Sequence, residues 1–275
     1  MRRERPVRWQ RIGENALRID EAVGAVLHYL AAEKDREREL LALFDAQEAE
    51  NMHIERYVQA VDEYRQTVDA MEASTADSVE RARGTLEATI REMVEAHKQV
   101  DVATVNYSTA VKSVDVGAAG RAAMVALSAG RDAAAEVQKA VSFEDPGRIT
   151  WFHSANSTFN HELNVALNEI KTAGSVYSAA SKQNESTAGT VQFLADLFQL
   201  ANAVGMDEAI RIDHHQLDQE NRQQILGWTA TNQELVGNKR TAFVEFLSSL
   251  HAQEVRLTDA RLAFSAAMAE LTSGS

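Results

Sequence analysis

Residues 79–114 read VERARGTLEATIREMVEAHKQVDVATVNYSTAVKSV, and the spacing of their side chains decides the fold. Apolar and weakly polar residues recur three and four positions apart with almost no slip. They are Val79, Leu86, Ile90, Met93, His97, Val100, Thr104, Tyr107, Val111 and Val114. Such a repeat is typical of a helix that packs against other helices as in a coiled coil.

The same spacing occurs in three further parts of the chain. The first includes Ile54, Val58, Val61, Tyr64, Val68 and Met71. The third includes Phe159, Leu163, Ala166, Ile170, Ala173 and Tyr177, and continues at Val191, Leu194, Phe198 and Ala201. The fourth includes Ile210, His214, Leu217, Asn221, Gln224, Trp228, Thr231 and Leu235, and resumes at Phe246, Leu257, Phe264 and Leu271.

Helix caps and breakers separate these parts. The stretch MEASTADSVE (71–80) offers Ser74, Thr75 or Asp77 as a helix cap, and Pro146 and Gly205 mark the other two boundaries. The predicted helical segments are roughly 12–72, 75–142, 150–204 and 207–271.

The sequence therefore predicts an all-α fold, an elongated antiparallel bundle of four long helices in up-down-up-down order. A helix of about 60 residues is about 90 Å long, so we expect a rod with both chain ends at one end. The predicted organisation is a basic arm at 1–11, one helical domain at 12–271 and a tail at 272–275.

The stretch VDVGAAGRAAMVALSAGRDAAAEV (114–137) is rich in small residues and has few charges. It is either a segment that enters a membrane or a place where helices pack closely. Arg121, Arg131 and Asp132 argue against membrane insertion. We instead expect a break at Gly117 and Gly120, followed by a small-residue helix that packs closely. This break, with polar stretches inside the first and third segments, suggests two stacked modules. A single long bundle with solvated bulges is the simpler alternative.

Composition excludes several classes of function. The 275 residues carry a formal net charge of −13, which argues against a nucleic-acid binder. There is no cysteine, hence no disulfide, thiolate nucleophile or cysteine zinc site. No apolar run reaches the about 18 residues that a transmembrane helix needs, and we expect no signal peptide. The arginine-rich start is either a solvated tail or a contact for an acidic partner or anionic surface.

Chemistry-bearing motifs are sparse. Glu50 and His53 form one Glu-x-x-His half-motif of a di-iron bundle, but a matching second motif is missing. His214 and Asp218 are four residues apart and could share a metal, although such pairs are more often solvated. We therefore expect no enzyme, no cofactor and no metal site.

Polar residues on core positions indicate the candidate site. When the four helices are aligned from their ends, Glu50 and His53 fall at the same level as a polar set from the other helices. The predicted ligand-binding residues in this layer are His97, Thr104, Asn184, Thr187, Asn221 and Trp228. Buried polar groups need partners, so the layer is either a ligand site or a device that fixes helix register.

Three stretches resemble the helical bimodular sensor domains of bacterial chemoreceptors and sensor kinases. They are AVLHYLAAEKD (25–35), YVQAVDEYRQTVDAM (57–71) and ARLAFSAAMAEL (260–271). The resemblance implies an extracytoplasmic domain between two transmembrane helices that lie outside this sequence. It also implies a small organic acid or amine bound between helices, and signalling by a small helix displacement.

The sequence thus favours a non-enzymatic sensory domain with a small-molecule ligand. The alternatives are a structural or adaptor rod that binds proteins or itself, and a subunit of a helical pore-forming toxin. A homo-oligomer is expected. The location is periplasmic for a sensor and cytoplasmic otherwise.

Overall fold

The chain was analysed as a computed structural model, which describes residues 4–70, 75–141, 146–182 and 219–273. These residues form α1 (Glu4–Asp69), α2 (Ala76–Val111), α3 (Val114–Val141), α4 (Pro146–Ser181) and α5 (Gln219–Ser273). The described part of the chain contains no strand, so the prediction of an all-α fold is confirmed. None of the helices in these ranges is long and apolar enough to cross a membrane.

Two of the predicted boundaries are found. Thr75 caps α2, since its hydroxyl accepts a hydrogen bond from the Ser78 backbone N–H at 3.3 Å and Asp77 lies in the first turn. Pro146 is the first residue of α4, a position where proline costs no hydrogen bond. Gly205, predicted to mark the third boundary, lies outside the described residues.

The predicted segment 75–142 is two helices rather than one. The break falls at Lys112 and Ser113, between α2 and α3, whereas Gly117 and Gly120 lie inside α3. The expected break at the glycines is therefore wrong in position.

The glycines of α3 provide close helix contacts. A Cβ added at Gly130 would lie 2.6 Å from Cβ of Ala22 on α1, and one at Gly120 would lie 3.3 Å from the Tyr29 ring. The close approach expected of the small-residue helix is thus present. A larger side chain at Gly130 would push α1 and α3 apart.

The chain divides into two compact units. The first unit comprises Met1–Glu37, Val111–Ala179 and Phe243–Ser275, and the second comprises Arg38–Ala110 and Ala180–Ala242. Helices α1 and α5 each contribute residues to both units. Residues 4–11, predicted as an arm, belong to α1. The elongated shape and the stacking of modules stay predictions.

The first unit is built around aromatic side chains from α4 and α5. Phe159 stacks on Phe264 with ring centroids 5.3 Å apart, and Phe152 lies 5.7 Å from the same ring. Each such pair stabilises by about 0.5–1.5 kcal/mol beyond its area burial. Half of the core residues of α3 are alanines, namely Ala119, Ala123, Ala133 and Ala134.

The core described for the second unit joins α1, α2 and α5. Its buried side chains include Ile54, Tyr57, Val58 and Val61 of α1, Leu86, Ile90 and Met93 of α2, and Ile225 of α5. All of the α1 and α2 residues in this set were predicted as core positions from the sequence except Tyr57.

Candidate functional site

The face of α5 that is buried in the second unit differs from the predicted one. Buried positions are Ile225, Thr229, Asn232 and Val236. The predicted positions Gln224, Trp228, Thr231 and Leu235 each lie one residue earlier, which rotates them by about 100° around the helix. Trp228 is accordingly 42% exposed, and its predicted core placement is wrong.

Thr104 is also exposed, because the neighbouring Ala103 takes the buried position on α2. Asn184 and Thr187 lie outside the described residues. Asn221 lies in the first turn of α5, and its side chain is outside the described part. Of the three predicted site residues with described side chains, only His97 is partly buried. The predicted six-residue site is therefore not assembled by the described residues.

His97 does meet a residue predicted at its level. Its Nδ1 lies 2.7 Å from Oε1 of Glu50, whose side chain is 3% exposed. The hydrogen bond to Glu50 raises the pKa of His97, while burial acts in the opposite direction. A second contact joins the same helices, with His53 Nδ1 3.5 Å from Oε2 of Glu92. The predicted alignment of Glu50 with His97 is correct.

A buried amide pair, which the sequence did not indicate, joins α1 to α5. Asn232 Nδ2 donates to Oδ1 of Asn51 at 2.9 Å, and these residues are 8% and 2% exposed. Thr229 donates to the Ile225 carbonyl at 2.8 Å. If the predicted buried face of α5 is moved one residue toward the C-terminus, it includes Asn232 and places this residue against α1. These contacts pair Glu50 and the Asn51 Oδ1 within the protein, whereas the buried Nδ2 of Asn51 has no hydrogen-bond partner among the described residues.

A metal centre is not supported by the described residues. They contain no group of three or more His, Cys, Asp or Glu side chains that could hold an ion. Glu50 and His53, the half-motif considered for a di-iron bundle, contact different partners on α2. His214, His215 and Asp218 lie outside the described ranges.

The first unit contains a buried charged cluster on α1. Glu33 is 1% exposed and accepts a hydrogen bond from Nη1 of Arg36 at 3.2 Å. The same guanidinium lies 4.3 Å from the centre of the Tyr177 ring. Glu37 is 7% exposed and lies 3.8 Å from Nε2 of His251. The stretch AAEKDRERE (31–39) is the polar stretch of the first segment that was predicted to interrupt the core. Glu33 and Glu37 nevertheless continue the spacing of buried residues from Leu30 to Leu40.

Burial controls the protonation of this cluster. It raises the pKa of Tyr29 and of Tyr177, and Glu33 adds to both shifts. Burial also raises the pKa of Glu37, against the opposite effect of His251. The Tyr29 phenol is hydrogen-bonded to Glu33 and stays neutral. The contacts within the cluster are incomplete, because Nε of Arg36 and Oε1 of Glu37 are buried without a hydrogen-bond partner in the described part of the chain.

A polar cleft lies in the second unit between α1 and α5. It has a volume of about 570 Å³ and is lined by Asp62, Arg65, Gln66, Asp69, Arg222, Gln223 and Leu226. Small-molecule sites commonly have volumes of about 300–1,000 Å³. None of these seven residues was predicted as a site residue, because charged residues near helix ends usually form a solvated surface.

The cleft presents two cations beside two anions. Nη1 of Arg222 lies 2.6 Å from Oδ1 of Asp62, and the Arg222 side chain is only 11% exposed. Arg65 and Asp69 line the cleft from the same helix as Asp62, one turn and two turns farther on. The Gln66 and Gln223 amides add both hydrogen-bond donors and acceptors. The cleft can therefore bind opposite charges on one small molecule.

Comparisons with known proteins add no relative. No family model, no curated protein and no solved structure matches the chain.

Proposed function

We propose that this protein is a non-enzymatic sensory domain that binds a small polar molecule in the cleft between α1 and α5. The observation that carries the proposal is the concentration of guanidinium, carboxylate and amide groups around a cleft of suitable volume. The site differs from the six residues predicted from the sequence but lies between helices, as the sensor hypothesis requires.

The groups in the cleft favour a ligand with a carboxylate and an amine. Arg222 and Arg65 can each bind a carboxylate through two parallel hydrogen bonds. Asp62 and Asp69 can accept hydrogen bonds from an ammonium group. Arg222 is already paired with Asp62, so a ligand carboxylate would join an arranged guanidinium rather than an isolated buried charge. A zwitterion would complement both signs.

Helix continuity supports signal transmission. Both helices that line the cleft extend without interruption into residues of the first unit. A ligand that shifts α5 at Arg222 would displace a helix that continues to Ser273. Such a displacement agrees with the mechanism implied by the resemblance to chemoreceptor sensor domains.

We also infer an up-down-up-down arrangement of α1, α3, α4 and α5 in the first unit. Support comes from contacts at matched levels along neighbouring helices: Asp20–Arg261, Glu37–His251, Ala22–Gly130, Gln138–Asn156 and Phe159–Phe264. In the α1 and α5 contacts, residue numbers rise along α1 as they fall along α5, as antiparallel helices require.

The test is a thermal-unfolding screen of the full chain against α-amino acids, dicarboxylates and diamines. A ligand at 100 times its dissociation constant should stabilise the folded chain by about 2.7 kcal/mol. We expect α-amino acids to raise the unfolding midpoint most. A diamine that stabilises the chain equally would contradict the proposed role of the arginines.

Two arginine variants locate the site. R222Q should abolish the ligand-dependent rise in the midpoint, because it removes the buried guanidinium of the cleft. R240Q is the matched control, since Arg240 also lies on α5 and pairs with Asp45 and Glu48 of α1. Equal ligand stabilisation of R222Q and the wild type would rule out this cleft as the site.

A structural or adaptor role is the second candidate. It is favoured by the hydrogen bonds of Glu50 with His97 and of Asn51 with Asn232, which join α1 to α2 and to α5 directly, without a ligand between them. Such a layer fixes helix register in a bundle that acts through its surface.

A further inference from the structure

Helix α5 carries an exposed aliphatic stripe within the first unit. Val244, Val255 and Leu262 are 44%, 60% and 63% exposed. They are eleven and seven residues apart, which places all three on one face of the helix. Single exposed aliphatic residues are common on protein surfaces, but a line of them along one face is typical of a contact surface.

The residues between them leave this face nearly uncharged. Ser248, His251, Ala252 and Asp259 share the face, and all four are exposed. No Lys or Arg lies on it between Val244 and Leu262. The opposite face of α5 contributes Phe243, Leu250, Leu257 and Phe264 to the core, so the helix has two separate apolar seams.

We propose that this stripe is the contact surface of a symmetric dimer, in which α5 packs antiparallel against α5 of a second copy with Val255 on the two-fold axis. In a contact with two-fold symmetry, the same surface of both copies forms the interface, and residue i of one copy contacts residue j of the other and vice versa. The sequence around Val255 suits such pairing. It is a proposal independent of the ligand cleft, which lies in the second unit.

Charge complementarity favours a second copy as the partner. His251 lies four residues before Val255 and Asp259 lies four residues after it. Antiparallel pairing about Val255 places His251 of each copy at the level of Asp259 of the other. Like charges do not meet along the stripe, and the imidazole of His251 can form a hydrogen bond with the carboxylate of Asp259 of the other copy.

The aliphatic residues also find small partners in this register. Leu262 of one copy lies at the level of Ser248 of the other, and Val244 lies at the level of Ala266. Small residues opposite large ones allow two helices to pack at the usual distance of about 8–10 Å. Over residues 244–266 the paired length is about 33 Å.

The first experiment is sedimentation equilibrium of the full chain over a range of concentrations. We expect a reversible monomer–dimer equilibrium. V255E places two carboxylates at the axis and should raise the dimer dissociation constant at least about tenfold, because facing like charges oppose association. V125E is the matched control, since Val125 is 71% exposed on α3 of the same unit and should leave the equilibrium unchanged.

Single cysteines then test the register, because the chain has none of its own. V255C should form a disulfide-linked dimer under mild oxidation, since only residues on the axis meet their own copies. The two copies of residue 262 would be about 21 Å apart along the helices, too far for a disulfide, so L262C should not crosslink. The double variant S248C/L262C should crosslink.

Three results would overturn the proposal. They are a monomer at every concentration, dimerisation of V255E equal to that of the wild type, and crosslinking of L262C as rapid as that of V255C. Circular dichroism of each variant separates loss of association from loss of folding, because a folded V255E monomer retains its helix content.

Discussion

At the residue scale, the best-defined polar contact is the hydrogen bond between His97 and Glu50 in the second unit. The raised pKa of His97 makes its stabilising contribution depend on pH. That contribution is present in full below the ordinary histidine pKa of about 6.5 and is lost as pH rises through the raised value. The contact therefore stabilises the protein most at mildly acidic pH.

The variant H97Q tests this dependence. We expect the wild type to exceed H97Q in free energy of unfolding by about 1–3 kcal/mol at mildly acidic pH, with a smaller difference at alkaline pH. Urea unfolding at a series of pH values measures the difference. The control H28Q alters an exposed histidine of α1 and should show no such trend. A difference that grows as pH rises would contradict the assigned contact.

Asn51 and Asn232 give a second residue-scale prediction. N232L leaves the Asn51 amide buried without its partner, and should lower the free energy of unfolding by about 1–3 kcal/mol. The double variant N51L/N232L should recover part of this loss, because two apolar side chains leave no buried polar group. Urea unfolding of N51L, N232L and the double variant measures the three losses in free energy of unfolding. A double variant that loses the sum of both single effects would show that the residues act independently.

At the element scale, periodicity located helices better than it located their buried faces. Large aliphatic residues identified the buried face of α2 at Leu86, Ile90 and Met93. The same reasoning misplaced Thr104, because the buried neighbour Ala103 gives little hydrophobic signal. On α5 the predicted buried face was one residue too early, so Trp228 was expected in the core where Thr229 is buried. Seams of small or polar residues, such as Ala103 on α2 and Thr229 and Asn232 on α5, allow such errors, since few large apolar side chains fix the direction of the core.

The contact between α1 and α3 provides the element-scale prediction. G130A places a Cβ within 2.6 Å of the Ala22 Cβ, closer than such atoms approach, and should destabilise by about 1–3 kcal/mol. G174A is the control, because Gly174 lies inside α4 with no atom within 4 Å of an added Cβ. That change should stabilise by roughly 0.5–1 kcal/mol through helix propensity. Thermal unfolding compares the two, and a stabilised G130A would contradict the close contact.

At the scale of the whole molecule, the formal charge is divided unequally. The second unit contains 12 Lys and Arg against 23 Asp and Glu, whereas the first contains 16 against 18. The net charge of −13 is thus mainly a property of the second unit, where like charges repel and destabilise compact structure. The sequence suggested two modules, but only the structure shows which residues form each unit, because α1 and α5 contribute to both.

This imbalance predicts a local response to salt. Raising the ionic strength screens repulsion over distances of about 10 Å, and should slow amide exchange in α2 of the second unit more than in α3 of the first. Hydrogen exchange measured at low and high sodium chloride checks this. Equal slowing in both helices would contradict it.

Hydrogen exchange with and without the most stabilising ligand of the thermal screen tests the central claim most directly. Ligand binding in the cleft predicts increased protection of residues 62–69 and 222–226, with the response lost in R222Q and kept in R240Q. Protection centred on residues 97–104 of α2, with none at the cleft, would contradict the account and return the site to the polar layer around His97.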